Sequence, residues 1–579
     1  MISFMKIRIA GSLLGVGLAA AVTAAAAAVD LQISVYCTAG DIQQHLMTDE
    51  GRQRVLSVLQ PLGAARLFLE GRRGDEYVAP EVLKSLRAFF AVHHIECSGG
   101  IATVPGANFG VRQQGELGWL NWESSKTRFG VAQFFRENAP IFDELIVDDF
   151  YCTGDVSPVS ATARGDRAWG DYRRDLLVSL MKPMIFEPTK QARRQTRLIV
   201  KFPQWYDRFH LFGYDPPRMA APFDEVWVGA EVRNPATRRM GFVQPTEGYM
   251  NFRWITAIAG AKVRGAWFDH IECSAQNFVD QAYQSVLAGA RELTLFHLGD
   301  LVASHPGDAS LADRLPELRD LAAGLRNQKR RGVAFYKPAG SESDDNMYLA
   351  DYLGMLGLPI LPVAKYPGDA KVAVLPVQAA HDQKLPEQAR RHLERGATLV
   401  VTPALLRKLG AEFAGWAGVQ LSGECKPVQA ESVTVGGNTI KLNLPLEMDG
   451  GLKADRCAVL LSASAGVESL PLLTRHAVGR GQLWMLNVRT FSEADFGLAG
   501  EWLLSPRLLG LPALPEVVVN ELRHPLLEPL KLELQAPTQV SLVLAGRRAW
   551  FYSFRDEPTR LRFNGREHTM PAHGLWPVR

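Results

Sequence analysis

A repeated alternation of short apolar runs and longer amphipathic stretches is the feature that most constrains the fold of this chain. Eight runs rich in β-branched and aromatic residues follow one another, and a helical pattern separates each run from the next. Eight strands alternating with helices are typical of a (β/α)8 barrel, and a doubly wound open sheet is the alternative. The runs are Leu31–Tyr36, Ala65–Leu69, His94–Cys97, Leu145–Asp148, Arg197–Phe202, Glu225–Gly229, Gly265–Asp269 and Glu292–His297.

Polar residues at the carboxyl ends of these runs favour the barrel over the open sheet. A (β/α)8 barrel carries its chemistry at the carboxyl ends of its strands, where the loops into the helices begin. The sequence therefore predicts an α/β fold led by a TIM barrel over residues 29–328, with its site on that face. The polar residues in question are Glu70, Asp148, Asp149, Lys201, Glu231, Asp269 and His297.

The first 28 residues have the pattern of a secretory signal peptide. Lys6 and Arg8 precede the apolar stretch 9–22, and the alanines at 24–28 offer small residues for cleavage. We therefore expect an exported protein, periplasmic or extracellular. An uncleaved anchor is the alternative, because the apolar stretch approaches the ~20 residues that span a bilayer.

The cysteine and charge counts bound the partners and cofactors. Six cysteines in an exported chain permit disulfides, and a Cys97–Cys152 bridge would join the ends of neighbouring runs, with a mutually exclusive pairing as the alternative. No CxxC or HxxxH spacing occurs among them, so we expect no metal and no cofactor. The 64 Lys and Arg residues nearly balance 61 Asp and Glu residues, which argues against a nucleic-acid partner.

Two further domains follow the barrel. The polar segment 327–331 precedes a new strand, Gly332–Tyr336, and the strand and helix patterns after it predict a flavodoxin-like α/β domain over residues 329–500. From about Pro515 the pattern changes to period-two runs separated by turn residues. This change predicts a small antiparallel β domain over residues 501–579.

Several stretches of the second domain combine apolar strands with glycine and proline: residues 332–336, 348–353, 356–359, 372–376, 395–401 and 479–484. In these stretches the domain resembles the amidotransferase-like trimerisation domain that certain bacterial β-galactosidases carry after a (β/α)8 catalytic barrel. This resemblance implies a carbohydrate-active barrel enzyme that forms a homo-oligomer, a trimer or a dimer, and it transfers no catalytic residue to this chain. An amidotransferase would need a nucleophilic Cys near residue 376, where the chain reads PVQAAHD, so we expect this domain to be structural.

Glycosidic hydrolysis needs two carboxyl groups, and four acidic residues are the candidates. Asp148 and Asp149 end the fourth run, and only one of them can face the barrel axis because strand side chains alternate. Glu231 follows the sixth run, and Asp269 ends the seventh. Enzymes resembling α-galactosidases place an Asp nucleophile after strand four and the acid after strand six, whereas the β-galactosidase clan uses glutamates after strands four and seven.

The first arrangement fits this chain better, so we expect Asp148 or Asp149 to be the nucleophile or base and Glu231 the general acid. Asp269 is the runner-up. Structural roles are the alternatives: a helix cap and an ion pair for the two aspartates, and a buried Glu231–Arg233 pair.

Aromatic and polar residues near the run ends have the composition of a sugar-binding cleft. Aromatic faces stack on the C–H surfaces of sugars, and amides and charges bind hydroxyl groups. Packing between helix and sheet is the alternative for each aromatic residue, and Glu247 is also an alternative acid. The predicted substrate contacts are Glu70, Trp122, Lys201, Trp205, Arg233, Glu247, Trp267 and His297.

The sequence thus favours an exported glycoside hydrolase with a carbohydrate substrate. A non-catalytic carbohydrate-binding protein on a decayed barrel is the first alternative, since fold does not fix function. A metal-dependent hydrolase that recruits Asp269, His270 and His297 is the second. Convergence of Asp148 or Asp149 with Glu231 or Asp269 in one site would favour the enzyme.

Overall fold

The structure is a computed structural model that describes residues 31–115, 117–148, 150–237, 244–496 and 508–578. The predicted signal peptide and Asp149 lie outside the described residues. Among the helices within these ranges, none has the length and apolar character needed to cross a bilayer.

The first part of the chain forms a closed barrel of eight parallel strands, which confirms the predicted TIM barrel. Each strand pairs with its sequence neighbours, and β1 pairs with both β8 and β2 to close the barrel. The strands are β1 Gln32–Cys37, β2 Arg66–Arg73, β3 Glu96–Ala102, β4 Glu144–Val147, β5 Arg197–Phe202, β6 Glu225–Gly229, β7 Val263–Asp269 and β8 Glu292–Phe296. A two-residue strand, Glu76–Tyr77, forms a hairpin with the end of β2.

Amphipathic helices cover the outside of the barrel. The helix Pro80–Val92 begins with proline, whose fixed φ suits the first helical turn, and buries Leu83, Leu86 and Phe90 at helical spacing. The other α-helices of six or more residues in this part are Asp49–Leu59, Ser125–Asn138, Pro158–Arg164, Trp169–Met181, Glu187–Ala192, Glu247–Ala259, Ala275–Ala288 and Pro306–Leu325.

Large aromatic side chains fill the barrel interior, so any site must lie above them at the mouth. The indole of Trp227 donates to Thr294 Oγ1 at 2.8 Å. Gly265 makes room for that indole, because a Cβ there would stand 2.1 Å from the Trp227 ring. The interior cluster consists of Tyr36, Phe68, Ile146, Ile199, Trp227 and Trp267.

A bulge in β2 decides which side chains of that strand face the barrel axis. The pairing register with β3 shifts between Glu70 and Arg72, which leaves Gly71 as an extra residue. Because side chains alternate along a regular strand, residues three apart would face opposite sides, whereas the bulge brings Glu70 and Arg73 to the same side. A Cβ on Gly71 would lie 3.0 Å from Phe134 and 3.3 Å from Leu83 on the covering helices.

The second domain has a nine-stranded sheet whose parallel half confirms the flavodoxin-like prediction. Its five parallel strands lie in the chain order 2-1-3-4-5, which is the flavodoxin-like order. In spatial order they are Ile360–Val363, Val333–Tyr336, Val372–Leu375, Thr398–Val401 and Gly481–Leu486. The helices of this domain are Leu349–Met355, Leu385–Glu394, Pro403–Leu409 and Ala411–Trp416.

Four antiparallel strands that the sequence pattern does not predict extend this sheet. They pair through long hairpins, so their residues alternate between a packed and a solvated face rather than forming a continuous apolar run. In order outward from the parallel half, the strands are Glu468–Val478, Ala458–Ala465, Pro427–Val435 and Asn438–Asp449.

The C-terminal part contains two small antiparallel sheets, as predicted, together with the helix Glu516–Leu527, which was not predicted. The basic segment before the second domain contributes Arg330–Arg331 as an edge strand of one sheet. The remaining strands of that sheet are Val540–Ala545, Arg548–Ser553 and Leu575–Val578, and the other sheet consists of Leu534–Gln535, Thr559–Phe563 and Arg566–Met570.

The predicted Cys97–Cys152 disulfide is wrong, since all six cysteines are free thiols. Strand β3 begins one residue before Cys97 and extends to Ala102, so Cys97 lies at the amino end of the barrel. Cys152 follows the carboxyl end of β4. The two thiols therefore lie at opposite ends of the barrel, because the third strand continues past Cys97, where the apolar run of the sequence ends.

Candidate active site

Seven charged side chains of alternating sign lie side by side across the mouth of the barrel. They come from the carboxyl ends of β2, β4, β5, β6 and β7, so the closure of the sheet brings together residues far apart in the sequence. We call them the charged row, and its members in order are Glu70, Arg73, Asp148, Lys201, Glu231, Arg233 and Asp269.

The first part of the row is a carboxylate held by several donors. The Arg73 guanidinium donates to both oxygens of Glu70, at 2.9 and 2.8 Å, and to Asp148 Oδ2 at 3.2 Å. Tyr36 OH and the Ala39 amide also donate to Glu70, at 2.6 and 3.0 Å. Burial raises the pKa of Glu70, but these four donated hydrogen bonds favour its ionised form.

Lys201 occupies the middle of the row, between two candidate catalytic carboxyl groups. Its ammonium donates to Glu231 Oε1 at 2.7 Å and lies 3.7 Å from Asp148 Oδ1. The same nitrogen lies 4.4 Å above the ring of Trp267, which forms the floor beneath it. Burial raises the pKa of Glu231 even though the Lys201 charge acts to lower it. The site thus holds one carboxyl group whose pKa burial raises beside another in contact with two cations.

The last part of the row pairs Arg233 with Asp269. Arg233 Nε and Nη2 donate to the two Asp269 oxygens at 3.0 and 2.6 Å. The expected alternative of a Glu231–Arg233 pair is therefore wrong, because Glu231 pairs with Lys201. The Gln204 side chain bridges Glu231 and Arg233: its amide nitrogen donates to Glu231 Oε2 at 3.3 Å, and its amide oxygen accepts from Arg233 Nη1 at 3.3 Å.

Among the described residues, the row holds one more carboxyl group than it holds cations: Glu70, Asp148, Glu231 and Asp269 lie beside Arg73, Lys201 and Arg233. Burying unpaired charge is costly, so this excess favours a proton on one of the carboxyl groups. Burial raises the pKa of both Glu70 and Glu231, and Glu70 is the one held by four donated hydrogen bonds. A protonated carboxyl group beside an ionised one is the arrangement that glycosidic hydrolysis requires.

Two further predicted residues lie outside the row. His297 follows β8 at the rim, where its Nδ1 lies 2.9 Å from Asp41 Oδ2. Although burial acts to lower it, the Asp41 carboxylate raises the pKa of His297. Glu247 begins the helix Glu247–Ala259 and is fully buried beside Asp351 of the second domain, and burial raises its pKa well above the ordinary value.

The predicted aromatic contacts are buried in packing. The indole of Trp122 donates to the Cys152 carbonyl at 2.7 Å and meets Tyr151 edge to face. Trp205 is buried beside Gln204, and Trp267 packs against Tyr36 within the barrel. Trp267 also touches the charged row, since the Lys201 ammonium lies 4.4 Å from its ring.

Sequence reasoning missed Arg73, Tyr36 and Gln204. Arg73 was overlooked because the bulge at Gly71 changes the side to which it points. Tyr36 ends the first run and Gln204 follows the fifth, so position at a run end would have identified both.

No cluster of three or more His, Cys, Asp or Glu side chains with metal-binding geometry occurs in the described ranges. Of the two histidines proposed for the metal-dependent alternative, His270 pairs with Asp308 at 2.8 Å and His297 with Asp41 at 2.9 Å.

Two family models match the chain. One, described as the catalytic domain of a probable glycosyl hydrolase, matches residues 20–313. The other, described as the second domain of uncharacterized protein SSO3021, matches residues 328–491. The chain is 21% identical to the Saccharolobus solfataricus protein of that name over 520 residues, which cover 80% of this chain and 82% of the relative.

Solved glycosidase structures share the whole architecture at low sequence identity. A β-galactosidase from Bacillus circulans is 12% identical with a TM-score of 0.62, over 94% of this chain and 98% of its own. The GH42 β-galactosidase Gan42B from G. stearothermophilus is 12% identical with a TM-score of 0.63, over 95% and 98%. An α-L-fucosidase from Paenibacillus thiaminolyticus is 11% identical with a TM-score of 0.63, over 92% and 93%.

Proposed function

The chain belongs to the family of probable glycosyl hydrolases that the matched catalytic domain defines, and from this premise we propose that it is an exported enzyme that uses Asp148 and Glu231 as its carboxyl pair. Its substrate in this proposal is an oligosaccharide or a glycoside. The contact of both carboxyl groups with the single ammonium of Lys201, at 3.7 and 2.7 Å, carries the proposal. Two carboxyl groups that contact one ammonium are close enough to act on the same glycosidic bond, for which glycosidases use pairs separated by ~5–9.5 Å.

The environments of the two residues suggest their roles. Glu231 has a raised pKa through burial, which suits a general acid that protonates the leaving oxygen. Asp148 contacts Arg73 and Lys201, and two adjacent cations suit a carboxylate that attacks the anomeric carbon or activates water. Asp269 is the second choice for either role, because both of its oxygens accept hydrogen bonds from Arg233.

The experiment is hydrolysis of aryl α- and β-glycosides by the mature protein and its variants. The panel includes β-galactosides and α-L-fucosides, on which the similar solved enzymes act by name. We expect Asp148→Asn to lose at least about a hundredfold in kcat on every substrate that the enzyme accepts, and Glu231→Gln to lose as much on unsubstituted phenyl glycosides, whose leaving oxygen needs a proton. Exposed Asp166→Asn and Glu50→Gln are matched controls that should retain activity.

Activity that survives in both Asp148→Asn and Glu231→Gln would contradict the assignment and direct attention to Asp269→Asn. Complete inactivity of the unmodified protein towards the panel, together with retention on glycans, would support the carbohydrate-binding alternative. Loss of activity in the exposed controls would show that such substitutions reduce activity by impairing folding, so that the losses at Asp148 and Glu231 would not identify catalytic groups.

Export and assembly are separate parts of the proposal. The basic residues Lys6 and Arg8 and the apolar stretch after them support export, and amino-terminal sequencing of the secreted product tests it, with a start between residues 23 and 30 expected. The likeness of the second domain to a trimerisation domain supports a trimer, which light scattering at several concentrations tests.

A further inference from the structure

A groove on the outer wall of the barrel has the chemistry of a second sugar-binding site. It lies between the end of β2, the loop 105–110 and the helix Ser125–Asn138, and encloses a cavity of about 320 Å³. We call it the outer groove. Its principal lining side chains are Arg72, Tyr77, Phe109, Phe129, Gln133 and Glu137.

Two aromatic rings line the outer groove where water can reach them. Phe129 is 65% exposed on its helix, and Tyr77 is 43% exposed on the hairpin after β2. Single exposed apolar side chains are ordinary on protein surfaces, but these two line one cavity. Gly130, next to Phe129, brings a third ring close, because a Cβ there would lie 3.2 Å from Phe109. Glycine weakens a helix by about 1 kcal/mol, so its presence fits this close approach.

A charged group is fixed among these rings. The Arg72 guanidinium lies 4.7 Å from the centre of the Phe109 ring and 5.2 Å from that of Tyr77. Within the described part of the chain, its Nε is buried without a hydrogen-bond partner.

The rim of the outer groove is polar and preformed. Asp75 accepts hydrogen bonds from the amides of Ala107 and Asn108, at 2.7 and 2.8 Å, which fixes the loop in place. On the facing helix, Gln133 Nε2 donates to Glu137 Oε1 at 2.7 Å. Amide, carboxylate and guanidinium groups around aromatic rings suit a ligand with hydroxyl groups and C–H faces rather than a hydrocarbon.

The outer groove is distinct from the charged row. Arg73 points into the barrel mouth, whereas Arg72, its neighbour on β2, lies in the groove on the outer wall. A molecule bound at one place therefore does not occupy the other.

We propose that the outer groove binds one or two sugar residues of an oligosaccharide or polysaccharide, separately from the site of hydrolysis. Stacking on Phe129 and Tyr77 provides the contact area, and Arg72, Gln133 and Glu137 bind the hydroxyl groups. The cavity volume, near the lower end of the ~300–1,000 Å³ of ligand sites, suits so small a unit. This inference goes beyond the proposed function, and its test measures binding apart from hydrolysis.

The experiment is affinity electrophoresis of the full chain in native gels that contain galactan, xyloglucan or mannan. Each variant is made in the Glu231→Gln background, so that slow hydrolysis does not remove the ligand. We expect at least one polysaccharide to retard the parent, and Phe129→Ala and Arg72→Met to weaken that retardation about tenfold in apparent affinity. Val92→Ala, which alters an equally exposed apolar side chain elsewhere, should leave it unchanged.

A second measurement separates this proposal from the proposed function. In the otherwise unmodified enzyme, Phe129→Ala should leave hydrolysis of small aryl glycosides unchanged, because these occupy only the barrel mouth. Three results would overturn the inference: retardation by none of the polysaccharides, retardation equal in parent and Phe129→Ala, or a change of oligomeric state in Phe129→Ala. The last result would assign the groove to a contact between copies of the chain.

Discussion

At the scale of single residues, the ammonium of Lys201 links two carboxyl groups that have different tasks. It lies between Asp148 and Glu231, and the contact with Glu231 is the shorter. A positive charge at this distance favours ionisation of Glu231, whereas burial opposes it. Lys201 therefore limits how far the pKa of the proposed acid can rise.

Replacing Lys201 tests this balance. In Lys201→Met the charge that lowers the pKa of Glu231 is gone, so that pKa rises further and Glu231 keeps its proton to higher pH. We expect the basic limb of the kcat/KM profile to move to higher pH, with kcat reduced because Asp148 loses one of its cations. Removing one partner of a buried pair should also lower stability by about 3–5 kcal/mol.

The measurement is the pH dependence of kcat/KM for the unmodified protein and Lys201→Met. Lys182→Met removes an exposed lysine that pairs with Glu187 and should leave the profile unchanged. A basic limb that stays in place or moves to lower pH would show that Glu231 does not govern it.

At the scale of elements, glycines at strand ends determine how closely the site residues approach. A Cβ on Gly229, the last residue of β6, would lie 2.3 Å from Glu231 Oε2 and 2.9 Å from the backbone nitrogen of Gln204. These distances are far shorter than van der Waals contact, so a side chain there would displace the proposed acid.

We therefore expect Gly229→Ala to reduce kcat at least about tenfold while the protein remains folded, because misplacing a reacting group by about 1 Å can cost a hundredfold. Gly324→Ala is the matched control, since the nearest atom to a Cβ at that helical position is an Arg548 nitrogen at 4.0 Å. It should retain full activity and gain up to about 1 kcal/mol of stability. Unchanged kcat in Gly229→Ala would indicate that Glu231 needs no fixed position.

The element scale also explains what the sequence could and could not predict. Strands β5 and β6 match their predicted bounds, because their apolar runs are bordered by clear polar signals. The bulge at Gly71 cannot be recognised from the pattern of apolar and polar residues, and so the sequence did not predict that Arg73 faces the barrel mouth. The extension of β3 to Ala102 was missed because Gly99 and Gly100 resemble a turn, which led to the wrong disulfide.

At the scale of the whole molecule, a buried pair of carboxyl groups joins the barrel to the second domain. Thr246 Oγ1 donates to the Asp351 carbonyl at 2.6 Å, and Tyr206 OH donates to Asp351 Oδ1 at 2.7 Å. Burial raises the pKa of both Glu247 and Asp351 well above their ordinary values. Among the described residues, neither oxygen of Glu247 has a hydrogen-bond partner.

This pair gives the stability of the protein a defined pH dependence. A carboxyl group in the unfolded chain ionises near pH 4, whereas the folded protein keeps Glu247 protonated to higher pH. The contribution of Glu247 is therefore fully present below about pH 4 and is lost as the pH rises towards its folded pKa. Glu247→Gln, which needs no proton to stay neutral, should raise stability at pH 8 by at least about 1.4 kcal/mol, the value of one pKa unit.

Calorimetric melting at pH 4 and pH 8 measures this effect, and Glu247→Gln should melt higher than the unmodified protein at pH 8 but not at pH 4. Glu412→Gln, an exposed change in the second domain, should leave both Tm values unchanged. A lower Tm for Glu247→Gln at pH 8 would mean that the ionised carboxylate stabilises the domain contact.

The domain arrangement was more predictable than the contacts between domains. Alternating runs predicted the barrel and the flavodoxin-like domain, because each buried strand is visible in the sequence as a short apolar run of its own. The Glu247–Asp351 pair could not be predicted, since its members lie 104 positions apart and meet only after both domains have folded. The sequence made Glu247 a candidate substrate contact, and the structure places it at the contact between the two domains.

The most direct test of the account compares leaving groups in Glu231→Gln. A general acid protonates the departing oxygen, so its loss should matter little for a dinitrophenyl glycoside, which leaves readily as an anion, and greatly for a methyl glycoside. We predict that kcat/KM of Glu231→Gln falls less than about tenfold for the first substrate and at least about a thousandfold for the second. Equal losses for both substrates would contradict the assignment of Glu231 as the acid of a carboxyl pair.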